Sequence, residues 1–210
     1  PYARPQAPLA AALAFQFSSV FITHIGNLNI VATSAYLPWA WLFLHRMQDK
    51  RNLSSAAALA LVLSLATLVG HAQMAIVIAI AISLAALWMT AALPGTAQWV
   101  ALCALVVALT IGLCAFFVIP TLELTQYSLR AGLTYKQATG YSLPPTGLAG
   151  MLSPILFGRG PEYFWASWDR VELGFAGILT LLLVPLGLRQ NSQRGILLFL
   201  ATFGILIALG

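Results

Sequence analysis

The chain has 210 residues, of which 60% are hydrophobic and only 7% are charged. Soluble globular domains are about 45–50% apolar and about 25% charged, so this composition excludes an ordinary soluble fold and indicates that lipid is the main solvent. The net charge of +5 does not indicate nucleic-acid binding, which needs basic residues clustered on one face. The one basic cluster is short, and it comprises Arg46, Lys50 and Arg51 with Asp49 among them.

Seven apolar segments follow one another along the chain. They predict an all-α integral membrane protein, a polytopic helical bundle in which residues 1–210 form a single transmembrane domain. Spanning the hydrocarbon takes about 20 helical residues, which the fourth and fifth segments reach. The first, second and sixth are shorter, and they require flanking residues, a locally thin bilayer or a partly re-entrant path. The segments are Leu9–Thr23, Ile30–Leu44, Leu53–Val69, Met74–Leu93, Trp99–Ile119, Leu173–Leu188 and Ile196–Gly210.

Two small residues, Ala56 and Ala60, lie four positions apart in the third segment. On a helix this spacing places both on one face. Small residues in this arrangement let two membrane helices approach closely. We therefore expect the third segment to pack against another helix through this face.

The distribution of basic residues predicts the orientation. If the N-terminus is cytoplasmic and the segments alternate, the inner side holds six of the ten basic residues, while the short outer turns His24–Asn29 and Gly70–Gln73 hold none. Basic residues in short loops favour the cytoplasmic side. The six inner residues are Arg4, Arg46, Lys50, Arg51, Arg189 and Arg194. Because the chain starts at Pro1 and stops at Gly210 within an apolar run, we also expect it to be an internal stretch of a longer protein.

A long loop over residues 120–172 is predicted on the extracytoplasmic side, with short interfacial helices inside it. Pro120–Leu133 has the pattern of an amphipathic helix, and about a dozen residues after Pro144-Pro145 repeat at helical spacing. An aromatic cluster over Tyr163–Trp168 is suited to the headgroup level. One polar stripe of the amphipathic helix is spaced i, i+3, i+4, i+7 and therefore projects one way: Glu123, Gln126, Tyr127 and Arg130.

The candidate site consists of polar side chains on this predicted outer side. Imidazole and carboxamide groups in the two outer turns are suited to bind sugar hydroxyls or a phosphate, and a guanidinium is suited to phosphate. The alternative is structural: the turn residues satisfy helix-end amides and carbonyls, and the stripe is a solvated helix face. The candidates are His24, Asn27, Asn29, His71, Gln73, Glu123, Tyr127 and Arg130.

Metal and haem sites are not indicated. No group of Cys, His and acidic residues has zinc-ligand spacing, and no motif identifies His24 and His71 as axial ligands of haem or chlorophyll. The two cysteines, Cys103 and Cys114, are separated by eleven residues of one apolar segment. On a helix that is about 16 Å, too far for a disulfide.

The order of several short motifs resembles that of the bacterial YfhO-like membrane proteins, within the GT-C class of multispanning glycosyltransferases. The motifs are His24-Ile25-Gly26-Asn27-Leu28-Asn29, Tyr36-Leu37-Pro38-Trp39, Gly70-His71-Ala72-Gln73, Pro120-Thr121-Leu122-Glu123 with Ser128-Leu129-Arg130, and Ser153-Pro154-Ile155-Leu156-Phe157-Gly158. They extend over most of the chain.

This resemblance implies an enzyme of the bacterial cytoplasmic membrane that uses a polyprenyl-phosphate-linked sugar at the extracytoplasmic face. Such enzymes place an acidic residue in the first outer loop as a base or metal ligand. That loop would precede Pro1, so the principal acid and any divalent metal would lie outside these 210 residues, with Glu123 a weaker catalytic candidate. Two other classes stay open: a transporter for a lipid-linked sugar, and a non-catalytic subunit associated with other membrane subunits.

The orientation gives a direct prediction. Single cysteines at Asn27 and Ala72 should react in intact cells with an impermeant thiol reagent, because both turns are expected outside. Cysteines at Gln48 and Ser192 should react only after the cells are opened. Labelling of Gln48 or Ser192 in intact cells, with no labelling of the other two, would reverse the proposed topology.

Overall fold

The computed structural model describes residues 6–92, 96–128, 132, 134–153, 155–158, 174–190 and 193–209. All regular secondary structure in these ranges is helical, which confirms the predicted all-α class. The α-helices are α1 (Gln6–Gln16), α2 (Ser19–Thr23), α3 (Leu28–Ser34), α4 (Leu37–Lys50), α5 (Leu53–Leu68), α6 (Ala72–Ala92), α7 (Thr96–Gln126), α8 (Tyr135–Ala138), α9 (Ile178–Gln190) and α10 (Arg194–Leu209). Short 3-10 helices cover Thr139–Tyr141 and Pro145–Met151.

The first two predicted segments are each divided in two. The first breaks between α1 and α2, where Ser18 has an extended backbone (φ −67°, ψ 158°). The second breaks between α3 and α4, just before Pro38, which has no N–H to donate to the carbonyl of Ser34. There the Tyr36 N–H donates to the Thr33 carbonyl (3.1 Å), three residues back instead of four. The chain thus tightens into one 3-10-type turn before α4 begins.

The fifth segment is longer than predicted. α7 continues through Pro120 to Gln126, so residues 120–126 extend this helix and the predicted loop begins later than Pro120. Proline is tolerated inside membrane helices, and α7 continues although Pro120 has no N–H to donate to the Phe116 carbonyl. The Thr121 hydroxyl donates to the neighbouring Phe117 carbonyl (2.7 Å). The predicted interfacial helix after Pro144 is a 3-10 helix, and the aromatic cluster over 163–168 lies outside the described residues.

Within the described part of the chain, two helices are long and apolar enough to cross a membrane, over Ala72–Ala91 in α6 and Ala97–Gln126 in α7. Only 28% and 17% of their most hydrophobic 18-residue windows are buried. A core helix of a soluble protein would be mostly buried, whereas these helices expose large apolar side chains such as Leu87 and Phe116. Shorter apolar helices occupy Ala7–Thr23, Leu53–Leu68, Ile178–Arg189 and Arg194–Leu209.

The chain divides into two compact units, one comprising residues 28–138 and the other residues 1–27 with 139–210. In the second of these, the Ser19 N–H donates to the Phe175 carbonyl (2.7 Å) and the Leu143 N–H donates to the Ala208 carbonyl (2.7 Å). These two bonds join segments that are far apart in sequence.

In the unit formed by residues 28–138, α5 is the central helix and packs mainly against α7 and α4. Ala56 and Ala60 are completely buried, which confirms the predicted packing face. Two side chains of α7 reach the α5 backbone there: the Thr110 hydroxyl donates to the Ala60 carbonyl (3.5 Å), and the Cys114 thiol donates to the Ser64 carbonyl (3.6 Å). Only small residues on α5 permit this approach.

The turn between α4 and α5 is fixed by local caps. Arg51 adopts the left-handed conformation (φ 48°) and its N–H donates to the Met47 carbonyl. The Asn52 side chain accepts a hydrogen bond from the Ser55 N–H (3.0 Å), as an N-cap residue does. The start of α7 is tied to the same turn, because the Gln98 amide donates to the Arg51 carbonyl (3.0 Å).

Trp99 anchors the start of α7. Its side chain is completely buried, and its indole N–H lies 3.0 Å from the Thr90 hydroxyl oxygen and 3.3 Å from the Ala86 carbonyl oxygen. The Arg51 guanidinium lies over the indole, 5.3 Å from the ring centroid. This residue therefore connects α7 to α6 and to the α4–α5 turn.

We predict that Trp99→Phe lowers the free energy of unfolding by about 1–3 kcal/mol, because it leaves buried acceptors without their donor and opens a small void. Trp39→Phe is the matched control, since Trp39 is 56% exposed and its stacking on Phe43 survives the change. Denaturant unfolding of the full protein in detergent measures both. Equal losses in the two variants would contradict the anchoring role.

Candidate functional site

The first predicted outer turn is held together by its own polar groups. His24 Nδ1 lies 3.0 Å from the Val20 carbonyl oxygen and 3.0 Å from Thr23 Oγ1. A carbonyl oxygen can only accept, so the contact to Val20 places the proton on Nδ1. The Asn27 N–H donates to the His24 carbonyl (2.7 Å). The half-buried imidazole thus satisfies a carbonyl at the end of α2, which is the structural interpretation of this histidine.

Asn29 lies at the start of α3. Its side-chain oxygen accepts a hydrogen bond from the neighbouring Ile30 N–H (2.9 Å), and its side chain is exposed. Because the side-chain oxygen of Asn29 bonds the Ile30 N–H, its side-chain nitrogen points away from that contact. Asn29 is therefore partly committed to the backbone at the helix start.

His71 is the N-cap residue of α6. Its Nδ1 accepts a hydrogen bond from the Met74 N–H (3.2 Å), three residues into the helix, where the side-chain oxygen of an N-cap residue usually acts. The contact requires a lone pair on Nδ1, so the ring carries its proton on Nε2. Gly70 precedes it with φ +94°, a conformation that favours glycine. Here too the imidazole satisfies a helix end.

Glu123 and Tyr127 lie on and just beyond the last turn of α7. Every side chain from 121 to 128 is exposed, and Tyr127 is 83% exposed. Leu122 and Leu124, which flank Glu123, are also exposed. The described members of the predicted polar stripe, Glu123, Gln126 and Tyr127, are therefore not covered by other parts of their unit. Arg130, its fourth member, lies outside the described residues.

The register of α5 and α7 sets the height of Glu123. The Ala60–Thr110 and Ser64–Cys114 contacts both join residues 50 apart, so the two helices run parallel. α5 ends four residues after Ser64, and Glu123 lies nine residues after Cys114. Glu123 therefore lies about 8 Å beyond the end of α5. This is the end of α5 that leads through Gly70 to His71 and Gln73.

The structure thus places part of the predicted site at one end of one unit. Asn29, His71, Gln73, Glu123 and Tyr127 belong to residues 28–138, whereas His24 and Asn27 belong to the other unit. Within residues 28–138, the exposed Gln73, Glu123 and Tyr127 remain accessible to a ligand. Because these residues share the predicted outer side, we also predict that Glu123 and Arg130 line a polar recess together with His24 and His71.

The sequence analysis missed two hydroxyl groups at the α3–α4 break. Thr33 is fully buried and Ser34 is 5% exposed, and neither hydroxyl oxygen has a hydrogen-bond partner. A buried polar group without a partner costs about 1–3 kcal/mol, and such groups concentrate at functional sites. The signal that marks them is the neighbouring Pro38, because its missing N–H also leaves the Ser34 carbonyl without an intrahelical donor.

Among the described residues, no group of three or more His, Cys, Asp or Glu side chains is arranged to hold a metal ion. No protein-family model, curated protein or solved structure matches the chain at a significant level.

The cap geometry of His71 gives a prediction that separates structure from binding. His71→Ala should lower the free energy of unfolding by about 0.5–2 kcal/mol, because the cap is lost. His71→Asn should keep most of the stability of the wild-type protein, because asparagine is a good N-cap. Gln73→Ala is the control for stability, since its side chain is exposed two residues further along. If Asn restores stability but not binding of a polyprenyl-phosphate sugar, the imidazole has a role beyond capping.

Proposed function

We propose that this chain is the membrane-embedded part of a multi-pass protein of the bacterial cytoplasmic membrane, with about seven segments in the bilayer. The two long apolar helices and their exposed apolar surface support this placement. The shorter apolar helices are consistent with segments that cross a thin region or enter the bilayer partway.

The proposed orientation places the Arg46–Arg51 turn in the cytoplasm and the His71 turn outside. The two turns precede and follow α5, so they lie at opposite ends of that helix. This arrangement agrees with the bias of basic residues in short loops. The N-terminus of the chain would then be cytoplasmic.

We propose further that the protein acts on a polyprenyl-phosphate-linked sugar at the extracytoplasmic face, as the resemblance to GT-C glycosyltransferases implies. The observation that carries this proposal is the end of α7, which extends beyond α5 and exposes Glu123 and Tyr127 on the side of the His71 turn. Polar groups at this height would meet the phosphate and sugar of a membrane-anchored donor.

In this proposal the residues divide by role. Arg130 binds the donor phosphate, because a guanidinium forms paired, charge-assisted hydrogen bonds to phosphate oxygens. Gln73, Tyr127 and Asn29 offer amide and hydroxyl groups for sugar contacts. The acid that takes the acceptor proton, and any divalent metal, belong to residues outside this stretch. Of the two acids among the described residues, Asp49 and Glu123, it is Glu123 that lies at the end of α7 on the side of the His71 turn.

A second candidate function is supported by the α3–α4 break. Transporters bind substrates at interrupted helices whose backbone and hydroxyl groups are left without local partners. The buried Thr33 and Ser34 hydroxyls next to Pro38 fit that description. A lipid-linked sugar transporter is therefore the alternative. A non-catalytic role with other membrane subunits would require finding those subunits bound.

We predict that the full-length protein transfers sugar from a polyprenyl-phosphate donor in proteoliposomes, whereas residues 1–210 alone do not, because the resemblance implies a principal acid in a first outer loop that these residues do not include. In the full protein, Arg130→Ala should weaken donor binding about 10–100-fold, the effect of losing a charge-assisted contact. Arg159→Ala is the matched control and should change binding less than about fivefold.

Three outcomes would oppose this assignment. Turnover by residues 1–210 that is abolished by Glu123→Gln would show that Glu123 is the catalytic acid. Movement of the labelled donor across the bilayer without transfer, lost in a Thr33→Val, Ser34→Ala variant, would establish the transporter. Absence of both activities until a second subunit is added would establish the accessory role.

A further inference from the structure

A cavity of about 530 Å³ lies within the unit formed by residues 28–138. Its walls come from α4, α5, α6 and α7, and they are almost entirely apolar, with Leu44, Leu59, Leu63, Ile82, Val107 and Ile111 among them. The volume is within the range of about 300–1,000 Å³ of small-molecule sites. The wall carries no charged side chain, so a hydrocarbon chain is the chemistry that it suits.

The two threonine hydroxyls in this wall are hydrogen-bonded to the protein itself. The Thr110 hydroxyl donates to the Ala60 carbonyl, and the Thr90 hydroxyl donates to the Ala86 carbonyl (2.8 Å) beside the Trp99 indole. An occupant therefore gains little from polar groups inside the cavity. Its affinity must come from apolar contact, which contributes about 25 cal/mol per Å² buried.

The cavity opens sideways between α6 and α7. Leu87, Val107 and Ile111 line it and are each more than half exposed, so their other faces form the outer surface of the two helices. Both helices are the ones long and apolar enough to cross a membrane. In the proposed placement this opening faces the acyl chains of the bilayer, and a chain can enter without crossing water.

One end of the cavity lies next to a basic turn. Thr90 is part of the wall and hydrogen-bonds Trp99, whose ring lies 5.3 Å from the Arg51 guanidinium. Arg51 is therefore separated from the cavity by one aromatic layer. Arg46 and Lys50 lie in the last turns of α4, just before Arg51, and are exposed, with one acid, Asp49, among them. The turn thus carries a net positive charge at the end where a lipid phosphate would lie.

We infer that this cavity binds one acyl chain of an anionic glycerophospholipid, whose phosphate lies beside Arg51. Basic pockets between membrane helices on the cytoplasmic side are suited to anionic lipid headgroups, and the charge of the turn favours such a lipid over a zwitterionic one. The inference rests on the proposed membrane placement. It does not depend on sugar transfer, which is proposed for the opposite end of α5.

The test uses the full-length protein, purified in detergent and analysed by native mass spectrometry while phosphatidylglycerol or phosphatidylcholine is titrated. The wild-type protein should bind one phosphatidylglycerol at least about tenfold more tightly than phosphatidylcholine, because a phosphate contact to a guanidinium is charge-assisted. Arg51→Gln should weaken phosphatidylglycerol binding by about tenfold or more. Arg46→Gln, the same charge change in the same turn, should alter it less than about threefold.

A second variant tests the cavity without changing charge. Ala104 lines the cavity and is exposed, so Ala104→Phe can fill the space without disturbing the buried contacts of α5. It should weaken phosphatidylglycerol binding about as much as Arg51→Gln while leaving the lipid-free unfolding midpoint unchanged. This variant keeps the proposal testable even if Arg51→Gln fails to fold.

Several results would overturn the inference. If Arg46→Gln and Arg51→Gln lower the affinity for phosphatidylglycerol equally, the lipid is attracted by the overall surface charge and not by a specific contact to Arg51. If the wild-type protein binds both lipids with equal affinity, the site does not select the headgroup. Tighter binding of polyprenyl phosphate than of phosphatidylglycerol, lost in Ala104→Phe, would assign the cavity to a different lipid. If the wild-type protein binds the lipid as expected but does not transfer sugar, only the proposed enzymatic function is refuted. Recovery of the protein in the soluble fraction would refute the membrane placement.

Discussion

The contact between α5 and α7 is the constraint on which the architecture of residues 28–138 depends. Helices in lipid gain no hydrophobic energy by associating, so their stability comes from close packing and interhelical hydrogen bonds. Both are present here, because the buried Ala56 and Ala60 let side chains of α7 reach carbonyl groups of α5. A larger residue at Ala60 would separate the helices and break both bonds.

The same contact sets the position of the other features. Because α7 is in register with α5, its start meets the α4–α5 turn, where Trp99 lies under Arg51. Its far end then extends past α5 and carries Glu123 outward. α6 packs less closely against α7, and the resulting space is the apolar cavity. The proposed lipid site and the proposed sugar site thus lie at opposite ends of one rigid helix pair.

The sequence predicted the features that depend on local signals. The apolar segment predicted over Leu53–Val69 forms α5, which ends at Leu68, one residue earlier than predicted. Both ends have local signals, because Asn52 caps the start and Gly70 follows the end. The packing role of the Ala56 and Ala60 pair was also predictable, because helical periodicity determines a shared face. The all-helical class followed from the composition.

Features that depend on tertiary context were not predicted. The sequence predicts a separate helix from Pro120, but α7 continues through this proline to Gln126. Pro38 has the opposite outcome, because α3 ends at Ser34 and a new helix begins at Leu37. Local sequence does not distinguish these two prolines. The side-chain partners of His24 and His71 were likewise undetermined, because a histidine in a turn is equally suited to cap a helix or to bind a ligand.

The unequal lengths of the paired helices have a consequence for the surrounding bilayer. α5 has 16 residues, a length of about 24 Å, whereas the hydrocarbon core is about 30 Å thick. α7 has 31 residues and is more than long enough, but its register with α5 is fixed. A bilayer of ordinary thickness would submerge Arg51 at one end of α5 or His71 at the other. In the proposed membrane placement, burying such groups in hydrocarbon would be costly, so the bilayer beside α5 would thin locally and shorter-chain lipids would accumulate on that side of the protein.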